Sequence, residues 1–104
     1  MIATLIQIKL PTPVPLEKAT ELFSASAQNY RDLSGLIRKY YLLSEDGSIA
    51  GGVYLWKSRE EAEKFFNAGW RQGIKDKYGN EPSVTYFASP VIVDNLAESI
   101  LIDN

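Results

Sequence analysis

The chain has 104 residues with 11 Lys and Arg against 13 Asp and Glu, a net charge of −2, and neither cysteine nor histidine. The length suffices for one hydrophobic core, so residues 1–104 read as a single domain. The missing residue types exclude a thiol nucleophile, an imidazole base, a Cys or His metal site and a proximal haem ligand. The interspersed charges give no basic stripe for nucleic acid, and no apolar run reaches the ~20 residues that cross a membrane. Lack of cysteine, and a beginning interrupted by Lys9 and Pro11 in a way no signal peptide is, read as cytoplasmic.

Residues 2–10 alternate, with Ile2, Ile6, Ile8 and Leu10 on one face and Leu5, Gln7 and Lys9 on the other, the pattern of a strand. Pro11, Pro13 and Pro15 break it. Pro15 suits the first turn of a helix, where a missing N–H costs nothing, and Leu16, Ala19, Phe23, Ala27 and Tyr30 predict one apolar stripe to about residue 30. Residues 35–44 and 49–56 are two β-rich runs joined by Glu45-Asp46-Gly47-Ser48, a hairpin signal. Ser58-Arg59-Glu60-Glu61 is a capping box in which Ser58 and Glu61 satisfy helix N–H groups reciprocally. It opens a second helix with Ala62, Phe65, Phe66, Gly69, Trp70 and Gly73 on its apolar side, ended by residues 78–82. Residues 83–89 form a fourth strand. A tail follows, and its Leu96, Ile100, Leu101 and Ile102 are apolar enough to pack on a protomer.

The order βαββαβ is that of an α+β, ferredoxin-like domain, a four-stranded antiparallel sheet with both helices on one face. Such a sheet has a second face that ought to be polar if it meets water. Here the hairpin is apolar on both sides, with Leu36, Ile37, Tyr40, Tyr41, Leu42 and Leu43 in one strand and Tyr54 and Trp56 opposite Val53 and Leu55 in the next. The simplest cover is a second copy of the chain, which predicts a homodimer. Matching aliphatic residues to the apolar face of the first strand places Gly51, Val53 and Leu55 beneath the helices and turns Tyr54 and Trp56 to the second face. Gly51-Gly52 lies inside a strand pattern, so it marks close packing or a bulge and not a phosphate-binding turn.

Three stretches carry a family resemblance: Ala3-Thr4-Leu5-Ile6-Gln7-Ile8, Gly35-Leu36-Ile37-Arg38-Lys39 and Ala50-Gly51-Gly52-Val53-Tyr54-Leu55-Trp56. With them the chain resembles the YdhR-like monooxygenases of the dimeric α/β-barrel superfamily. The resemblance implies paired ferredoxin-like sheets enclosing a cavity. In some members that cavity oxidises aromatic, often polyketide-like, compounds with dioxygen and without metal or flavin. It also implies no cofactor and a small aromatic ligand. At Arg38 and Tyr41 the chain departs from the family pattern, so the shape of its cavity is its own. The candidate substrate-binding residues are Gln7, Lys39, Tyr41, Tyr54 and Trp56, with no catalytic residue or metal ligand assigned. Four of them have a plainer role: Tyr54 and Trp56 as dimer packing, Gln7 as a hydrogen-bonded interior amide, Lys39 as a packed stem with its head in solvent. Arg38 and Lys39 point to opposite faces, and the resemblance selects Lys39 for the cavity. A non-catalytic small-molecule binding or sensing module is the rival function.

Overall fold

Residues 1–103 are described by the computed structural model. Strand β1 (Ile2–Lys9) runs through the middle of a four-stranded antiparallel sheet ordered β2-β3-β1-β4, with β2 spanning Leu36–Leu43, β3 Ile49–Trp56 and β4 Ser83–Ala88. Helix α1 (Leu16–Ala27) continues into a 3-10 turn (Gln28–Tyr30). Helices α2 (Arg59–Phe65) and α3 (Ala68–Tyr78) follow the hairpin. This is the ferredoxin-like α+β architecture, and α1, α2 and α3 all pack on one sheet face, over Ile6, Ile8, Tyr54 and Trp56. Among the described residues, no helix is long and apolar enough to cross a membrane.

The β2–β3 turn forms as its residues require. Gly47 takes φ +75°, and the Asp46 carboxylate accepts hydrogen bonds from the Ser48 N–H at 2.9 Å and from the Ser44 and Ser48 hydroxyls. Those bonds hold its pKa down at about 2.

The parity of β3 is the reverse of the expectation. Opposed residues of antiparallel strands share a face, and Tyr54 lies opposite Thr4 and Trp56 opposite Ile2, so both aromatics point toward the helices. Tyr54 is 3% exposed and Trp56 0%, stacked at 6.1 Å and met edge-on by Phe66. The Trp56 indole N–H donates to Thr4 Oγ1 at 3.2 Å, which satisfies a hydroxyl that is itself fully buried. Gly51, Val53 and Leu55 instead line the open face with Leu5, Tyr40 and Leu42. In β3 the large aromatic rings fill the volume under the helices beside Ile6 and Ile8 of β1, and Val53 and Leu55 are left for the side without helices.

The second helix is divided. After Phe66 the chain leaves helical geometry (φ −81°, ψ +48°), and Asn67 starts α3 by accepting the Trp70 N–H at 2.9 Å. At the start of α2, Ser58 accepts the Glu61 N–H as predicted, but the Glu61 carboxylate takes the Ser34 and Ser58 hydroxyls. In α1 the buried side runs through Ala19, Phe23, Ser26 and Tyr30, while Leu16 and Ala27 are exposed. The tail is a separate hairpin, β5 (Val91–Asp94) with β6 (Ser99–Ile102). It is held to the body by an ion pair between the Met1 amine and Asp103 and by Arg38 3.8 Å from Asp94. The tail residues expected to pack stay outside, Leu96 at 97% exposure and Ile100 and Ile102 close to two-thirds.

Candidate functional site: a tyrosine-lined cavity beneath the helices

Because side chains alternate along β2 and β3, Lys39, Tyr41 and Tyr54 all project to the helix side of the sheet. There they meet Tyr30 from the 3-10 turn, Phe23 and Ser26 from α1, and Trp70, Lys77 and Tyr78 from α3, around a cavity of about 50 Å3. Lys39 sits at its centre. Its Nζ lies 3.3 Å from the ring centroid of Tyr30, 3.8 Å from that of Tyr41 and 4.6 Å from that of Tyr54, a cage of three aromatic faces. Among the described residues, no carboxylate lines this cavity and no salt bridge reaches Lys39.

Two influences oppose each other at that amine. Burial, with the Lys77 charge second, pushes its pKa down to about 7, while the tyrosine faces favour the cation. Lys39 is therefore an amine that can gain or lose a proton near neutral pH. The surrounding phenols move the other way. Burial raises Tyr41, Tyr54 and Tyr78 above the ordinary tyrosine range, so they stay protonated and offer O–H groups; the Tyr41 hydroxyl is 2.8 Å from Ser26 Oγ. Trp70 adds a buried indole N–H without an acceptor. The chemistry collected here is flat apolar wall plus hydrogen-bond donors, suited to holding an aromatic ligand and stabilising negative charge on it. Nowhere among the described residues do three or more Asp or Glu gather as metal ligands.

The family described as "Putative mono-oxygenase ydhR" matches residues 5–88. The chain belongs to this family. Its fold is also that of solved structures of low sequence identity. A Streptomyces coelicolor monooxygenase from the gene ActVA-Orf6, in complex with nanaomycin D, superposes with TM-score 0.66 at 18% identity over 85% of this chain and 86% of that one. A Deinococcus radiodurans protein described as a "putative antibiotic biosynthesis monooxygenase" gives 0.64 at 13% identity, covering 90% of this chain and 97% of that one. Rv0793 from Mycobacterium tuberculosis gives 0.57 at 18% identity over 85% and 93%. No curated protein matches the chain.

Of the five residues singled out in the sequence, the fold of this ydhR family member gathers Lys39, Tyr41 and Tyr54 around one cavity. Trp56 is sealed behind them in the core. Gln7 lies on the open sheet face beside Gly51, exposed and away from the cavity. Arg38 also points to the open face, toward Asp94. Sequence reasoning passed over Tyr30, Trp70, Lys77 and Tyr78 as site residues. Tyr30 was visible only as the end of a helical stripe and Tyr78 only as the start of the segment that ends a helix, while Lys77 was not singled out.

Proposed function

We propose that this chain oxidises a small, electron-rich aromatic compound with dioxygen in the cavity under its helices, without metal or flavin. The observation that carries the reading is Lys39 in its cage of Tyr30, Tyr41 and Tyr54, a half-buried amine able to take a proton inside an aromatic pocket. Membership of a family described as a mono-oxygenase supports it, as does a sequence without His or Cys to ligate a redox metal. The reaction balances without an external reductant. A phenol loses its O–H proton and one ring hydrogen, dioxygen delivers one atom to the ring and the other leaves as water, and the product is a quinone. Lys39 stabilises the phenolate that donates the electrons, and the aromatic walls exclude water.

The test is oxygen consumption by purified protein, in the presence of chelator, over a panel of phenols and hydroquinones. Turnover should be seen with at least one compound and should fall on the order of 10²-fold in Lys39→Met. A panel that is bound but never consumes oxygen would instead assign the cavity to binding or sensing. The same reading makes the protein a homodimer through the open sheet face, and absence of cysteine supports a cytoplasmic setting.

A further inference from the structure

The polar groups around the cavity are out of balance. Half-buried Lys39 and exposed Lys77 bring two amines and Trp70 a buried N–H with no acceptor, while among the described residues no carboxylate lines the cavity. A buried donor normally has a partner, so the missing acceptor is a property the ligand should supply. We propose that the ligand of this cavity is a single-ring aromatic compound bearing an anionic oxygen, a carboxylate or an ionised phenol, and that Lys39 becomes cationic as it binds. The proposal rests on taking this cavity as the ligand site and adds the charge of what enters it.

Mobility of the lining decides what fits. A partly open space of about 50 Å3 holds a few waters, so a ring enters only if a side chain withdraws. Lys39 and the exposed Lys77, each on a flexible four-carbon stem, are the groups able to move. The groups facing its amine are Tyr30 from the 3-10 turn, Tyr41 from β2, Tyr54 from β3, and Lys77 and Tyr78 from α3. Burial raises Tyr41, Tyr54 and Tyr78, so these phenols keep their protons at pH 8. Lys39 changes charge near neutrality, with a midpoint of about 7. An anion beside it raises that midpoint, and a proton must be taken up.

Calorimetry at pH 8 in buffers of different ionisation enthalpy reads both parts, with benzoate and its uncharged isostere benzamide as probes. Benzoate should bind at least about tenfold more tightly than benzamide and take up close to one proton per molecule bound. Lys39→Met should remove both the preference and the uptake. Lys39→Arg, permanently charged, should keep the preference and lose the uptake. Lys77→Met removes a charge that lowers the Lys39 midpoint, so it should weaken benzoate and reduce the uptake without abolishing it. Phenol separates the two sources of anionic oxygen: it brings its own proton to Lys39, so it should bind as phenolate with no net uptake. Equal affinity for benzoate and benzamide, or no binding of either, overturns the anion site. Benzoate preference without proton uptake in the unaltered protein overturns the part given to Lys39. Benzoate is not oxidisable in this way, so a failed oxygen assay leaves this result standing, and a failed benzoate titration leaves the oxygen assay to be judged by itself.

Discussion

At the scale of single residues, Lys39 joins stability to the site. Its pKa is about 7 in the folded protein and near 10.5 in the unfolded chain. Between those values the unfolded chain holds a proton that the folded protein does not, so folding stability should rise with pH from about 7 toward 10. Below 7 both states are protonated and the slope vanishes. Above 10 the buried tyrosines, whose folded values are raised, reverse the trend because the unfolded chain ionises them first. Solvent reaching the amine reduces the gain to ~2 kcal/mol across the window. Urea denaturation at pH 7, 8 and 9 should show it, and Lys39→Met should flatten it; an equal slope in that variant assigns the dependence elsewhere. Lys39 was legible in the sequence as a charge on an apolar strand that needs a partner or a wet cavity. Its tyrosine cage was not, because Tyr30 lies nine residues away across a loop and meets Lys39 only once the sheet has its register.

At the scale of elements, the order and types could be read because each has a local cause: proline breaks, a glycine turn, the Ser58 cap, clean alternation in β1. The parity of β3 could not. Gly52, Tyr54 and Trp56 on one side and Gly51, Val53 and Leu55 on the other are both apolar sets, so alternation gives no polar face to orient the strand. Volume favours the observed parity: Phe65 at the end of α2 and Phe66 just after it pack on the Tyr54 and Trp56 rings. The break between α2 and α3 was equally silent, since Asn67 sits within an otherwise helical pattern and its cap is a side-chain bond to the Trp70 N–H that forms only once the helix restarts. That break aims α3 so that Trp70 packs on Phe66 at 4.7 Å and Lys77 and Tyr78 reach the cavity. Asn67→Ala should remove the cap and cost ~1 kcal/mol, a fall of roughly 4–8 °C in Tm by calorimetry. An unchanged Tm would show that packing of Trp70 alone fixes the start of α3.

At the scale of the whole molecule, the unresolved demand is the open face of the sheet. Leu5, Val53 and Leu55 are half-buried there, and Tyr40 and Phe87 are 53% and 51% exposed, an apolar surface without helices above it. The C-terminal hairpin adds to it. Its links to the body are polar, through Met1 with Asp103 and Arg38 with Asp94, while Val93, Ile100 and Ile102 turn outward. A second copy would cover both surfaces at once, and the closed two-fold arrangement is the commonest way to do so. Sedimentation equilibrium should therefore give a dimer at micromolar concentration. Leu55→Asp is the sharp variant, because its side chain faces away from the core and the fold has no need of it. Like charges placed across a two-fold interface cost several kcal/mol, so dimer affinity should fall by about 10²-fold or more with the circular dichroism spectrum unchanged. Removing the chain after Asn95 deletes β6 and should weaken the dimer without unfolding the sheet. If the unaltered protein is a monomer at these concentrations, the open face has another occupant and the paired-sheet barrel is not formed by this chain alone.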